Sequence, residues 1–152
     1  MEYRAYSGTY YIRLDRGDEI IGSLRRICEA ERIRSAVYTG IGGCSAAEIQ
    51  TFDPEKGAFE TRTLRGMLEL TSMTGNVICG ADDTRYLHTH GTFAYRLPDG
   101  THTVAAGHLR AVTVLYTAEI ELRPVLGGVI GSRIDPVTGT AMWAFGEESK
   151  DA

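Results

Sequence analysis

Only one stretch of this sequence carries the apolar period of a helix, and this limits what the chain can fold into. Between positions 18 and 32 apolar residues recur at steps of three and four, with charged residues opposite; the apolar set is Ile20, Ile21, Leu24, Ile27 and Cys28. This pattern predicts an amphipathic helix from about Asp18 to about Arg32. The aspartates of the preceding turn, 15–18, offer N-cap carboxylates. The rest of the core must therefore come from strands.

The remainder of the chain has the pattern of strands and turns. Apolar residues alternate over 9–14 and again over 112–122, where Val112, Val114, Tyr116, Ala118, Ile120 and Leu122 share one face. Loops at 53–57, 98–100 and 135–140 predict hairpins, and the glycines of 40–43 and 74–76 predict tight turns. One helix on a largely antiparallel sheet is an α+β fold. The second sheet face is also apolar, which predicts that a partner subunit covers it.

Length and composition favour a single folded domain. The chain has 152 residues, with 43% hydrophobic and 24% charged. These values exclude general disorder. We expect one domain over 1–146, followed by a disordered polar tail over 147–152.

Charge, hydropathy and cysteine usage exclude several classes of protein. The net charge of −4 provides no overall basic surface for nucleic acid or anionic membrane. No apolar run is long enough to span a membrane, and the first residues lack the layout of a signal peptide. Cys28, Cys44 and Cys79 form neither a CxxC pair nor a disulfide framework. We therefore expect a soluble, cytoplasmic protein with reduced thiols.

Histidines provide the clearest chemical signal. His88 and His90 flank one residue on a predicted strand, so their side chains share a face about 6 to 7 Å apart. A hairpin through 98–100 would bring His108 beside them. Three neutral imidazoles and a water form the open tetrahedral site that zinc favours, although nickel, copper or iron also bind such nitrogens. The structural alternative is that the three histidines are simply polar residues on a half-exposed strand. His102 lies beside the turn, and its side chain is expected to be exposed.

The other motifs give weaker evidence about function. The glycines of 40–43 do not have the spacing of a nucleotide-binding loop. The arginines of 25–34 are interleaved with glutamates, which favours a solvated helix face over DNA contact. No cysteine is marked as a nucleophile.

Taken together, several short motifs resemble a known family. They occur in order along the chain: Arg13-Leu14-x-x-Gly17-Asp18, Gly40-Ile41-Gly42, Glu69-Leu70-x-Ser72-Met73-x-Gly75-Asn76, Leu87-His88-x-His90, Gly107-His108 and Thr117-Ala118-Glu119. In this order and spacing they resemble the plants and prokaryotes conserved (PPC) domain, in its prokaryotic stand-alone branch. The likeness extends from about Tyr10 to about Glu121.

The resemblance implies a PPC-like fold, a homotrimer and a metal-compatible cluster at His88, His90 and His108. It also implies a regulatory or DNA-associated role, because the plant branch belongs to AT-hook nuclear proteins. This sequence contains no Arg-Gly-Arg-Pro hook, and 66–71 lacks the arginine and the aromatic of the plant partner-binding hexapeptide. DNA binding by this chain alone is therefore expected to be weak.

Two alternatives remain open at this point. The first is a metal-dependent enzyme or small-ligand-binding protein that uses an open three-histidine zinc site, with Glu69 or Glu119 as a candidate general base. The second is a trimeric scaffold whose metal, if any, is structural.

Overall fold

The computed structural model describes residues 1–146, so the tail expected over 147–152 lies outside the described residues. Within these residues, one helix and eight strands follow each other: β1 (Glu2–Tyr6), β2 (Thr9–Asp15), α1 (Ile20–Ala30), β3 (Ala36–Asp53), β4 (Ala58–Cys79), β5 (Arg85–Arg96), β6 (His102–Pro124), β7 (Ile130–Ile134) and β8 (Ala141–Phe145). The α+β composition predicted from the sequence is confirmed. No helix in 1–146 is long and apolar enough to cross a membrane.

The strands form one large antiparallel sheet and one small hairpin. The order of the large sheet is β1-β2-β6-β3-β4-β5, and β5 also pairs with β6. Strands β6, β3, β4 and β5 therefore close into a ring, because the long β6 pairs with β5 near its start and with β3 along its remainder. Strands β7 and β8 form the separate hairpin.

Helix α1 covers the inner face of the sheet. Its buried residues Ile20, Leu24 and Ile27 pack into the same core as Leu14 of β2 and Phe93 of β5. The helix is shorter at both ends than the sequence predicted. Its N-cap is Glu19, whose carboxylate accepts hydrogen bonds from backbone N–H groups of the first turn. A glutamate can cap here because its longer side chain folds back onto the turn.

Two of the predicted turns are continuous strand in the structure. Residues 40–43 lie within β3 and residues 74–76 lie within β4. The glycines serve close strand packing instead: a Cβ on Gly42 would lie 2.7 Å from the carbonyl oxygen of Thr117 in β6. The sequence prediction of turns was wrong because a glycine needed for close approach looks the same as one needed for a turn.

Tyr116 also departs from the predicted pattern. Its neighbours on the apolar face of β6 are buried, but Tyr116 is 67% exposed. The register between β3 and β6 shifts from Gly42↔Ala118 to Cys44↔Val114, so a bulge in β6 turns Tyr116 outward. The hairpins predicted at 53–57, 98–100 and 135–140 are all confirmed.

Candidate metal centre

The three predicted histidines meet on the outer face of the sheet, and all belong to one chain. His90 of β5 lies directly opposite His108 of β6 in the antiparallel register. His88 lies two residues from His90 on the same face of β5, diagonal to His108. The hairpin through 98–100 therefore brings the three side chains together as the sequence predicted.

A glycine in β6 next to His108 contributes to this arrangement. His108 pairs with His90 on one side and with Gln50 of β3 on the other, so it sits where β6 passes from one partner strand to the next. Gly107 precedes it with φ +156°, and a Cβ there would lie 2.8 Å from Ile49 Cγ2. Glycine thus allows β6 to approach β3 closely beside His108.

Thr89 fixes the outward direction of the two histidines beside it. Its side chain is completely buried, and its hydroxyl hydrogen-bonds the hydroxyl of Tyr38, which is also in the core. Because strand side chains alternate, an inward Thr89 requires an outward His88 and His90. The buried hydrogen bond would be left unmade if the register slipped by one residue.

The spacing of the nitrogens suits a small divalent cation. One ring nitrogen from each histidine lies within 4.8 Å of the others, and Nε2 of His88 is 3.1 Å from Nε2 of His90. Zinc bonds to imidazole nitrogen are ~2.0–2.1 Å, which places two ligands of a tetrahedral ion roughly 3.4 Å apart. The three nitrogens are thus close to the separation that ligands of one zinc ion have. Small rotations of the rings would bring all three within bonding distance of the ion.

The local environment lowers the pKa of two of these imidazoles. Loss of solvent around the His88 ring lowers its pKa, and the nearby His90 adds to the effect. The pKa of His108 is lowered by desolvation and then by the charges of His88 and His90. A neutral imidazole offers its lone pair to a metal, so these shifts favour binding at neutral pH.

Sequence reasoning missed the aromatic and amide groups around the cluster. The ring of Phe59, at the start of β4, lies 5.9 Å from the ring of His108. On the other side a pocket of about 280 Å³ adjoins His88 and His90, with Asn76 of β4 and Trp143 of β8 in its lining. The sequence contains no spacing that would place Trp143 near the histidines. Asn76 was noted only as part of a motif that resembles the family, without a role at this site.

The other candidate site residues lie elsewhere. Glu69 and Glu119 line a different concavity, together with Met67 and Tyr116. Glu69 pairs with Ala94, four residues beyond His90 and so ~13 Å along the sheet. His102 is exposed at the far end of the hairpin, opposite Arg96 and ~20 Å along β6 from His108. The structure therefore brings together the three histidines and leaves both glutamates apart from them.

Comparison with known proteins is consistent with this geometry. A family model described as the plants and prokaryotes conserved (PCC) domain matches residues 1–125. The chain belongs to this family. The resemblance that the motifs suggested is thus confirmed, and the domain accounts for the sheet, the helix and all three histidines. No curated protein sequence matches the chain.

Solved structures share this PPC fold across nearly the whole chain. A plant- and prokaryote-conserved protein from Pyrococcus horikoshii has a TM-score of 0.77 at 29% identity, with 94% of this chain and 93% of that chain covered. A protein from Archaeoglobus fulgidus described as metal-containing has a TM-score of 0.79 at 26% identity, with coverages of 94% and 96%. A protein from Ralstonia eutropha described as a "putative DNA-binding protein" has a TM-score of 0.81 at 26% identity, with coverages of 93% and 94%.

Proposed function

We propose that this PPC-domain protein binds a divalent metal through His88, His90 and His108, with zinc as the leading candidate. The observation that carries the proposal is the convergence of three imidazole nitrogens within 4.8 Å on one chain. Three imidazole nitrogens at this separation match the ligand set of an open zinc site. The metal-containing relative from Archaeoglobus fulgidus supports the same assignment.

The proposed site has room for a fourth ligand. Three protein ligands leave one tetrahedral position, and His88 and His90 are both exposed on the side of the pocket. A bound zinc ion would act there as a Lewis acid and lower the pKa of a bound water. His88, His90 and His108 would hold the ion, but Glu69 and Glu119 are too far away to serve as a base for its bound water. We therefore propose a metal-dependent ligand-binding site and assign no reaction to it.

We infer that the protein acts as a homotrimer. Large apolar side chains on the outer face of the sheet are between 40% and 67% exposed: Tyr11, Ile41, Met67 and Tyr116. They line two adjoining concavities on that face. A monomer seldom leaves so large an apolar patch in water, and a second copy of the chain would cover it. The family resemblance sets the number of copies at three.

A DNA-associated regulatory role is the second candidate. It is supported by the description of the Ralstonia eutropha relative, and opposed by the net charge of −4. Non-specific DNA affinity comes mainly from cationic contacts to phosphate. We expect binding no tighter than ~10⁻⁴ to 10⁻⁶ M at physiological salt. A mobility shift at nanomolar protein in 150 mM salt would establish the DNA role instead.

We further infer a single domain over 1–146 in a cytoplasmic protein. The β7–β8 hairpin is tied to the main sheet by Ser35, whose hydroxyl accepts from the N–H of Ile130 at 2.8 Å and donates to its carbonyl at 3.1 Å. The three cysteines are buried and unpaired, as a reducing compartment allows.

Elemental analysis of the purified protein tests the metal proposal. We expect close to one zinc per chain in the wild type, little in His90→Ala, and the wild-type amount in the control His102→Ala. The fold should survive chelation, because a chain of this length has its own core. Equal metal content in wild type and His90→Ala would exclude the site. A metal-free trimer would support the scaffold alternative. Unfolding on chelation would show that the metal has a structural role.

A further inference from the structure

The pocket beside the histidines is small and has mixed chemistry. Its volume is about 280 Å³, and its lining consists of Val37, Thr74, Gly75, Asn76, His88, His90 and Trp143. Pockets for drug-sized ligands run from ~300 to ~1,000 Å³. A molecule with a single ring and a short polar group is the largest that this pocket would enclose.

One wall of the pocket is aromatic, because Trp143 forms part of its lining. Trp143 is 41% exposed and Val37 is 37% exposed, so both present apolar surface to the cavity. The ring of Phe145 meets that of Trp143 edge-on, with centroids 6.0 Å apart and planes at 87°. The two rings lie on the same face of β8, and Phe145 itself is 75% exposed. A flat indole face stacks well on a planar ring.

The charges around the pocket select the polar group. None of the described residues that line it is acidic, and two of them are the proposed metal ligands. A metal held by the imidazoles would repel a cation and attract an anion, which could take the open coordination position. Asn76, opposite His88 in the register, adds an amide that can donate N–H bonds to a carboxylate.

We propose that this pocket binds a small aromatic carboxylate, with its carboxylate at the metal and its ring against Trp143. The inference rests on the proposed metal site, which supplies the positive charge. It assigns a role to the C-terminal hairpin, which lies beyond the residues that the family model matches. Trp143 is a specificity-determining residue in this account, since it contacts the ring and does not hold the metal.

The sequence provides its own reporter for the test. Trp143 is the only tryptophan in the chain, so fluorescence excited selectively in tryptophan reports on this pocket alone. The zinc-loaded protein is titrated with benzoate, with acetate as the ringless anion and benzylamine as the matched cation. We expect a saturable change with benzoate, at an affinity about 3- to 10-fold tighter than acetate because of ring stacking. Benzylamine should not compete.

Two substitutions of Trp143 and one control substitution locate the binding. Calorimetry with zinc-loaded Trp143→Ala should show benzoate affinity reduced about 3- to 10-fold, to that of acetate, whereas Trp143→Phe should retain most of it. Ile134→Ala, an exposed aliphatic change on the same hairpin, is the control and should bind as wild type. Zinc content should be the same in all three variants.

The outcomes separate this inference from the metal proposal. If elemental analysis finds no divalent metal, and added zinc does not bind, both are overturned. If zinc is present and benzoate fails to bind, binds no better than acetate, or binds less well than benzylamine, the ligand inference alone is overturned. Unchanged benzoate affinity in Trp143→Ala likewise overturns it. Selective benzoate binding that Trp143→Ala weakens confirms it.

Discussion

At the scale of single residues, the site depends on a glycine in the neighbouring strand. Gly75 of β4 pairs with Tyr38 of β3 on one side and, on the other, with Thr89, the residue between the two histidines of β5. A Cβ on Gly75 would lie 2.5 Å from Cζ and Oη of Tyr38 and 2.6 Å from the carbonyl oxygen of His88. Neither neighbour can move easily, because one is a buried ring and the other is backbone.

We therefore expect Gly75→Ala to destabilise the protein by roughly 1–3 kcal/mol, as overpacking does. The added Cβ would also push β5 away from β4, and this displacement of the histidine-bearing strand should weaken metal binding. Chemical denaturation and metal content measure the two effects. Gly128→Ala is the matched control: nothing lies within 4 Å of its added Cβ, so its stability should change by no more than about 0.5 kcal/mol. Equal stabilities of the two variants would contradict the packing argument.

The histidines also predict how the stability of the metal-free protein varies with pH. Desolvation lowers the pKa values of His88 and His108 below their ordinary 6.5 in the folded state. The unfolded chain therefore binds protons first as the pH falls. The stability contributed by the neutral imidazoles is complete above about pH 6.5 and is lost as the pH drops towards the folded pKa values.

Thermal midpoints measured in chelator should accordingly decline between about pH 6.5 and the lower folded pKa values. Replacing both residues, with His88→Asn and His108→Asn together, should flatten that decline. The control is His102→Asn, which should leave the profile as in wild type. A decline of the same steepness in the double variant would show that other groups cause it.

At the scale of elements, one carboxylate links the helix to the sheet. Glu19 caps α1 through the N–H groups of Ile21 and Gly22, and its Oε1 also accepts from the N–H of Val112 in β6 at 3.1 Å. The N-terminus of a helix favours a negative charge as well. The position of α1 on the inner face is thus set by a polar contact in addition to its apolar stripe.

Glu19→Ala should cost about 1–3 kcal/mol, because it leaves donors of the helix and of the strand unmatched. Glu19→Gln should recover part of this, since the amide oxygen still accepts. Glu29→Ala, an exposed change in the same helix, should be close to neutral. The measurement is the free energy of unfolding in urea. A loss in Glu19→Ala no larger than in Glu29→Ala would mean that the cap contributes nothing.

At the scale of the whole molecule, the proposed trimer would bury the apolar part of the outer face of the sheet. Light scattering should give about three times 16.6 kDa, the mass of one chain. Ile41→Glu places a charge in the middle of the proposed interface and should shift the mass towards that of one chain. Val137→Glu, on the 89% exposed tip of the β7–β8 hairpin, should remain a trimer. A wild-type monomer at micromolar concentration would remove the trimer from this account.

The sequence by itself determined the local features of this protein. The helix was predictable because its apolar residues repeat at the period of a helix, and the hairpins because their loops carry Pro, Asp and Gly. The histidine cluster was predictable because it too depends on short-range sequence patterns. His88 and His90 are two residues apart, and a short loop of known type brings His108 back beside them.

The tertiary structure decided whatever depends on contacts between distant segments. Glycines at 40–43 and 74–76 are strand residues because neighbouring strands approach them closely, and no local pattern reveals a distant neighbour. The bulge that exposes Tyr116 comes from a register shift against β3. Trp143 reaches the histidine pocket from a hairpin more than thirty residues away, since the fold, and not its place in the chain, sets its neighbours.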